Sequence, residues 1–324
     1  MAEQGKIIKR RIQSITNTKQ ITKAMEMVAG AKMRKAVQAA ESSRTYATKA
    51  WELLTNLSEK VDHQQHELLA IRPIKKICVI FFSSNRGLAG AFNSNLNKKL
   101  EQFIKSPNIL RHHDANLKNI KQGVDKISDL EIDYITVGNR GAQYLRKNNR
   151  KVIAAFDSQS DTPTLENIRP ITKTAMDEYR KGNYDRVVLV YSDFVSALLQ
   201  KAKIRQLLPI SKFDIEKTIL TAGGDRVSAE KPKKLEGKID STCLFEPSAE
   251  EVLDKLLVNM VQVQIYQVAL ETSASKFSAR MVAMRSATEN AEEMTKELVL
   301  SYNQSRQAAI TQEIAEIASA AESM

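Results

Sequence analysis

The sequence predicts an α/β protein in which a parallel sheet occupies the middle of the chain and the two terminal segments pair as a long antiparallel two-helix coiled coil. Residues 6–72 contain one glycine, Gly30, and no proline, and residues 248–324 contain neither. Between these segments, short apolar runs alternate with helical stretches, which is typical of a parallel α/β sheet. We therefore predict an N-terminal helix over residues 1–72, an α/β domain over residues 73–247 and a C-terminal helix over residues 248–324.

The N-terminal segment has the seven-residue repeat of a helix that pairs with another helix. The repeat comprises Ile8, Ile15, Thr22, Ala29 and Ala36. Such a repeat keeps one stripe of the helix facing its partner. Because its side chains become smaller along the helix, we expect the two helices to approach more closely towards Ala36.

A helical wheel of the stretch around residues 21–33 separates an apolar face from a basic one. We assign to the partner helix the face formed by Ile21, Met25, Val28 and Ala29. The opposite face, predicted to point outward, is formed by Lys19, Lys23, Met27, Gly30 and Arg34. There Gly30 removes bulk, although it costs roughly 1 kcal/mol of helix propensity. We expect Gly30→Leu to leave the fold nearly intact and to impair assembly.

The C-terminal segment begins with a helix-start signal. Ser248 is the candidate N-cap, Glu251 follows three residues later as in a capping box, and Pro247 precedes them. A single helix from there to residue 324 would extend roughly 115 Å. One seven-residue repeat comprises Leu270, Phe277, Met284, Ala291 and Leu298, and a second, four residues later, comprises Ala274, Met281, Thr288, Thr295 and Tyr302. Both repeats predict a left-handed coiled coil.

Charge is distributed unevenly along the chain, whose formal net charge is +11. Residues 1–60 carry a net charge of +7 and residues 248–324 a net charge of −5, so the two terminal helices attract each other. A basic coiled coil that binds nucleic acid is one alternative function. Only 6% of residues are aromatic, however, and no stacking motif lies among the basic residues.

The middle of the chain alternates strands with helices. The predicted strands lie in residues 75–82, 132–138, 151–156, 186–194 and 204–210. The predicted helices lie at about residues 92–105, 139–149 and 164–181. Two polar stretches, residues 106–130 and 211–240, are predicted to be surface insertions, because they are rich in turn-forming or charged residues.

Chemistry-bearing motifs are weak throughout the sequence. The turn at residues 83–95 follows the first strand, where an α/β fold would place a phosphate-binding loop, but it matches neither glycine-rich phosphate signature. A nucleotide-binding α/β protein is therefore a second alternative, and a structural strand-to-helix turn is the plainer interpretation. His63, His66 and Glu67 resemble half of a metal site, and His112 and His113 are adjacent in an insertion, but no cysteine or second histidine pair is placed to complete a zinc site, so exposed histidines are the plainer interpretation. We expect no catalytic residue, no cofactor and no metal.

The cysteine content and the lack of a long apolar run narrow the class of protein. The two cysteines, Cys78 and Cys243, do not make a disulfide framework and fit a reducing compartment, with Cys78 predicted to lie in the core. The sequence contains no apolar run of about 18 residues, so we expect no membrane-spanning helix.

Five stretches resemble the gamma subunit of F-type ATP synthases. They are IKRRIQSITNTKQITKAMEMVAGAKMRKA (8–36), NRGLAGAFNSN (85–95), LFEPSAEEVLDKLL (244–257), SARMVAMRSATENAEEM (278–294) and YNQSRQAAITQEIAEIASAA (302–321). The resemblance runs from end to end and is weakest in the two insertions. The sequence departs from the family at Asn85, where an aspartate is usual, and at Ala89, where a cysteine is common. It also lacks the redox cysteine pair of the chloroplast form.

The resemblance implies a Rossmann-like domain beside the coiled coil, and the function of a rotor. The coiled coil is expected to turn inside a head of three α and three β subunits. Its foot, together with the ε subunit, is expected to sit on the membrane ring of c subunits, which proton flow turns. Catalysis then belongs to the β subunits. A peripheral membrane protein on the cytoplasmic face of a bacterial membrane is the implied location.

The resemblance also implies which residues contact partners. Arg306 and Gln307 match family residues that meet a polar loop of the β subunit, where the planar guanidinium of arginine suits a carboxylate. Further residues that match coupling or rim positions are Met25, Gly30, Arg280, Thr311 and Glu313. Met25 matches a rim methionine, yet its helical phase places it nearer the partner helix, and both orientations are open. Phe245 and Glu246 are assigned to the foot.

Overall fold

The computed structural model describes residues 2–58, 66–70, 72–105, 130–157, 162–210 and 248–322. The helices in these residues are α1 (Ala2–Ser58), α2 (Phe92–Lys105), α3 (Asn139–Lys147), α4 (Leu165–Arg180) and α5 (Ala249–Glu322). The strands are β1 (Lys76–Phe82), β2 (Glu131–Val137), β3 (Val152–Phe156), β4 (Arg186–Phe194) and β5 (Gln200–Leu208). The predicted mixture of an α/β sheet and two long terminal helices is confirmed.

The five strands form one sheet in the order β3-β2-β1-β4-β5. Strands β1 to β4 are parallel, but β5 runs antiparallel to β4. The predicted parallel sheet is therefore confirmed for β1 to β4, and the last strand differs in its direction. Only residues 195–199 separate β4 from β5, and a parallel return needs a crossover of about a dozen residues or more.

Helices cover both faces of the sheet. On one face, Cys78, Ile80 and Phe82 of β1 belong to a core that includes α4 and the first part of α5. On the other face, Ile77, Val79 and Phe81 belong to a core that includes α2 and α3. Because β1 is buried on both faces, its sequence reads as one continuous apolar run rather than as an alternation.

The turn after β1 is held by its own side chains and by its neighbour, the start of α3. The Ser83 hydroxyl accepts a hydrogen bond from the backbone N–H of Gly141 over 2.8 Å. A Cβ at Gly141 would lie only 2.7 Å from Ser83 Oγ, so glycine permits this close approach. The Asn93 side chain is hydrogen-bonded to the backbone N–H and to the hydroxyl of Ser84. The Asn85 side chain accepts a hydrogen bond from the backbone N–H of Asn139. These contacts fit the interpretation of residues 83–95 as a structural turn.

The chain divides into two compact units. One comprises residues 1–31 with residues 280–324, and the other comprises residues 32–279. The second contains the sheet and its covering helices. No helix in the described residues has a stretch both long and apolar enough to cross a membrane. The boundaries predicted at residues 72 and 247 stay predictions.

The first unit is an antiparallel pair of helices formed by parts of α1 and α5. A Cβ at Gly5 would meet the Tyr302 ring at 3.9 Å, Lys19 forms an ion pair with Glu292, and Thr22 bonds to Thr288. Partner numbers fall as residue numbers rise, which defines the antiparallel direction. The predicted repeats are buried at Thr22, Ala29, Met284, Thr288 and Ala291, so the seven-residue period is confirmed.

The helical wheel assigned two exposed residues, Ile21 and Val28, to the contact between the two helices. Ile21 and Val28 are 60% and 53% exposed, whereas Gly30, predicted to point outward, is buried. The contact is made by small side chains one position after each of these two, namely Thr22, which the wheel did not include, and Ala29, which it assigned correctly. Small residues at a helix contact allow a short distance between the helix axes. Choosing the most hydrophobic side chains therefore selected Ile21 and Val28, which are exposed.

The start of α5 is as predicted. The Ser248 hydroxyl accepts a hydrogen bond from the backbone N–H of Glu251 over 3.2 Å, and the helix begins at Ala249. This bond satisfies one of the N–H groups that the first turn of a helix leaves without a partner.

Candidate partner interface

The last turns of α5 present an exposed apolar stripe. Ile310, Ile314 and Ile317 are 48%, 61% and 70% exposed. Their spacing of four and three residues places them on one side of the helix. Exposed apolar side chains that are contiguous mark a surface that contacts another molecule.

The residues predicted from the family resemblance lie around the same stripe. Arg306, Gln307, Thr311 and Glu313 are all exposed. At 3.6 residues per turn they and the three isoleucines fall within an arc of about 160° on the helix. The Thr311 hydroxyl donates to the Gln307 carbonyl oxygen over 3.0 Å, whereas Arg306 forms no ion pair with any described residue. We call these seven residues the tip face.

A second exposed apolar stripe lies on α1. Ile7, Ile21 and Val28 are multiples of seven residues apart and more than half exposed, and Met27 beside them is equally exposed. The wheel missed this surface because it assigned Ile21 and Val28 to the helix pair. A second seven-residue repeat, one position before Ile8, Ile15, Thr22 and Ala29, was the signal that could have identified it. We call these four residues the α1 stripe.

Ion pairs lie on the surface of the unit formed by residues 1–31 and 280–324. Glu292 lies 3.1 Å from Lys19 and 3.4 Å from Lys296, and Lys19 first and then Lys296 hold the pKa of that carboxyl below its usual value. Lys23 pairs with Glu26 on its own helix. Lys9, Arg10 and Arg11, near the start of α1, are exposed. These three side chains give the start of α1 a positively charged surface.

The remaining predicted contact residues lie apart from the tip face in sequence and in exposure. Met25 and Arg280 are half-buried, and Gly30 is buried. Their roles in contacting a partner stay predictions. Phe245 and Glu246, assigned to the foot, fall within residues 211–247, which are not among the described residues. The same applies to His63, His112, His113 and Cys243, and to almost all of both insertions.

The α/β unit carries two features that bear on other functions. His66 Nε2 lies 3.3 Å from Asp254 Oδ1, to which Arg180 also donates over 3.0 Å, so this histidine has a protein partner. In the part of the chain that the structure describes, no group of three potential metal ligands is found.

A cavity of about 250 Å³ lies between α4 and α5 at the carboxyl ends of β1 to β3. Asp157, Glu166 and Lys276 mix both charges on its walls.

Comparison with known families gives a match over nearly the whole chain. The family model described as ATP synthase matches residues 4–324. The ATP synthase gamma chain of Legionella pneumophila is 33% identical over 313 residues, which cover 97% of this chain and 96% of the relative. That of Acidithiobacillus ferrooxidans is 36% identical over 319 residues, covering 98% of each chain.

Solved structures show the same fold. A chain of the Euglena gracilis mitochondrial ATP synthase, in a structure of its OSCP, F1 and c-ring, matches with a TM-score of 0.64 at 18% identity, covering 100% of this chain and 95% of that chain. A chain from the rotor of the same enzyme matches with a TM-score of 0.60 at 18% identity, covering 96% of this chain and 100% of that chain.

Proposed function

The chain belongs to the ATP synthase family as a gamma chain, and we propose that it is the central rotor of a proton-translocating ATP synthase. In this function it couples rotation of the membrane c-ring to ATP synthesis or hydrolysis at sites on the β subunits. The observation that carries the proposal is the match over residues 4–324, which includes both the antiparallel helix pair and the sheet. The chain is a non-catalytic subunit, because the catalytic groups belong to the β subunits.

We propose that the tip face contacts the α and β subunits of the catalytic head. Its isoleucines supply an apolar surface with few fixed polar bonds, which suits a contact that must be made and broken as the rotor turns. Arg306 supplies a planar guanidinium that can make a bidentate contact with a carboxylate. Gln307, Thr311 and Glu313 flank that guanidinium with groups that can donate or accept hydrogen bonds.

The α1 stripe is proposed as a second contact with the same head. Ile7, Ile21, Met27 and Val28 are exposed, and exposed basic residues lie on the same helix. An apolar stripe supplies contact area that is insensitive to the identity of the partner residue. Exposed lysines and arginines add an attraction to acidic surfaces that salt weakens.

The foot, the ε subunit and the c-ring complete the set of proposed partners. Phe245 and Glu246 are proposed for this contact from the family resemblance alone. The chain would then be a peripheral membrane protein on the cytoplasmic face of a bacterial membrane, held there through the complex. Its bacterial relatives support that location.

Co-purification tests the proposal directly. An affinity-tagged chain, expressed in its own cells, should elute with three copies each of the α and β chains, and the eluted complex should hydrolyse ATP. The purified chain alone should not hydrolyse ATP. Elution without these chains, or substantial hydrolysis by the isolated chain, would show that the rotor function is wrong.

Truncation after Tyr302 tests the tip face. The truncated chain should keep a folded sheet, measured by the protection of strands β1 to β5 from hydrogen exchange, while proton-driven ATP synthesis falls. Unchanged synthesis would remove the assignment of the tip face.

A further inference from the structure

One segment of α5 is buried on all sides and is unusually polar. Within residues 264–278, eight of the fifteen side chains are polar or charged and buried. Two of them, Ser275 and Ser278, are fully buried. Buried polar groups are costly unless they are hydrogen-bonded, so their partners indicate what the segment is fixed to.

Both serines bond to the hairpin formed by β4 and β5. The Ser275 hydroxyl donates to the Ser192 carbonyl oxygen over 3.1 Å. The Ser278 hydroxyl donates to the Ala197 carbonyl oxygen and accepts from the Gln200 side-chain amide over 3.1 Å. Its one hydrogen and one of its lone pairs are thus both used. We call these five residues the hairpin clamp.

The hairpin side of the clamp is itself fixed. Backbone N–H groups of Val195 and Ser196 donate to the Leu199 carbonyl oxygen, and those of Leu198 and Leu199 donate to the Ser196 hydroxyl. The Gln200 amide also donates to the Ala197 carbonyl oxygen over 3.3 Å. The acceptors that meet α5 therefore belong to a closed turn on the sheet rather than to a free loop.

Apolar burial and directional bonds resist different movements. Apolar contact is non-directional, so a helix in an apolar groove can slide or turn while much of its burial is kept. Hydrogen bonds need a defined distance and angle, and a small rotation of α5 would leave both serine hydroxyls buried without partners. A buried polar contact of this kind fixes the register of a helix.

We propose that the hairpin clamp transmits torque between α5 and the β4–β5 edge of the sheet. Ser275, Ser278 and Gln200 are positioning residues that hold α5 in rotational register with the sheet, so that a torque on the helix is passed to the sheet. The proposal rests on the rotor function and adds the contact through which the force passes.

The test compares loaded with unloaded rotation in membrane vesicles that contain the complete synthase. The variants are Ser275→Ala, Ser278→Ala and their combination. With an uncoupler present there is no opposing gradient, and ATP hydrolysis should stay within about twofold of the unsubstituted enzyme. Without the uncoupler, the maximal proton gradient built by the double variant should be at least about twofold smaller than that of the unsubstituted enzyme. The reason is that the lost hydrogen bonds weaken the contact that transmits the torque. The number of protons moved per ATP should fall as the gradient grows.

Two further variants separate torque transmission from general loosening. Ser278→Thr keeps the hydroxyl and should restore the gradient. Thr172→Val removes a buried hydroxyl that donates to the Ile168 carbonyl oxygen of its own helix, α4, without removing a bond between α5 and the hairpin, and should leave the gradient unchanged. In hydrogen exchange, Ser278→Ala should accelerate exchange of the amides of residues 195–199 by about twofold to tenfold.

The outcomes distinguish the clamp from the rotor function. If the unsubstituted chain supports no ATP-driven proton pumping, the rotor function itself fails. If it supports pumping and the double variant builds the same gradient, the clamp proposal is overturned. An equal loss in Thr172→Val would also overturn it, because the effect would then come from the loss of any buried hydroxyl rather than from the bonds between α5 and the hairpin.

Discussion

The hydroxyls of Thr22 in α1 and Thr288 in α5 are hydrogen-bonded to each other over 2.8 Å, and each side chain is only 8% exposed. Each hydroxyl also lies within bonding distance of a backbone carbonyl on its own helix, Thr22 of Lys19 and Thr288 of Met284. A polar pair thus lies inside the contact between the two helices. The sequence repeats predicted that both positions face the partner helix, but not that their hydroxyls bond to each other.

Replacing both threonines should cost less stability than the two single replacements added together. Thr22→Val or Thr288→Val alone should lower the free energy of unfolding by about 1 kcal/mol, because the partner hydroxyl loses its neighbour in a buried place. The double variant should cost less than the sum, since two apolar groups of the same shape leave nothing unpaired. Chemical unfolding of the full chain, followed by circular dichroism, measures the cycle. Strict additivity would mean that the two hydroxyls do not interact.

Substitutions at the two glycines of α1 should have opposite effects. Gly30 is buried, so Gly30→Leu should destabilise the helix pair by about 1–3 kcal/mol through overpacking. Gly5→Ala should stabilise it by about 0.5–1 kcal/mol, because the added Cβ would meet Tyr302 at an ordinary contact distance in a helix. Thermal unfolding of both variants is the measurement. A neutral Gly30→Leu would support the outward orientation expected from the helical wheel.

Cys78 should be unreactive in the folded protein. Burial, aided by the nearby charges of Asp133 and Glu178, raises the pKa of its thiol to about 12. The reactive thiolate is therefore scarce at pH 8. In a Cys243→Ser variant, which isolates the signal, a thiol reagent should label Cys78 rapidly in denaturant and at least about a hundredfold more slowly in the native state. Equal rates would place the thiol in contact with solvent.

Acid should weaken the ion pair at Glu292. Its carboxyl has a pKa below the ordinary value of 4.5 in the folded chain, mainly because of Lys19. A group with a depressed folded pKa contributes stability above its unfolded pKa and loses it as the pH falls through the folded value. Carboxyl chemical shifts from an NMR titration should show a midpoint below 4.5, which returns upward in Lys19→Met. A midpoint that Lys19→Met leaves in place would exclude this pair as the cause.

Charge reversal at the tip face should impair coupling. Arg306→Glu should lower proton-driven ATP synthesis by at least about tenfold, which corresponds to losing one hydrogen-bonded contact with a charged group. Lys147→Glu, at an exposed position on α3, is the matched control and should leave synthesis unchanged. Synthesis is measured per assembled complex, with subunit content followed by immunoblotting. Similar losses in both variants would point to net charge rather than to the tip face.

Sequence patterns predicted the periodic parts of the fold well. The strand at residues 186–194 and the helix at residues 92–105 have the predicted bounds, because long apolar runs and amphipathic repeats follow the local geometry of the chain. The direction of β5 was missed, since direction depends on the length of the connection rather than on the strand itself. The buried polar segment at residues 264–278 gave no local signal, because its partners lie on distant strands.

The candidate contact surfaces were predicted only in part. The tip face followed from motif resemblance and from the spacing of Ile310, Ile314 and Ile317. Two residues of the α1 stripe, Ile21 and Val28, were assigned to the wrong side, since hydrophobicity ranks Ile21 above Thr22 while close helix contact favours the smaller residue; Met27 was correctly predicted to point outward. The seven-residue repeat therefore identified the residues at the helix contact more reliably than the choice of the most hydrophobic face of the helix did.

The composition of the helix pair has a consequence for how the chain is made. Its two parts, residues 1–31 and 280–324, are separated by the 248 residues of the other unit. At a synthesis rate of about 5–20 residues per second, roughly 10 to 50 s pass between the first part and the second. During that interval the small-residue face of α1 has no partner, while the sheet can already be assembled. Residues 1–31 thus leave the ribosome before the sheet does, yet belong to the unit that is completed last.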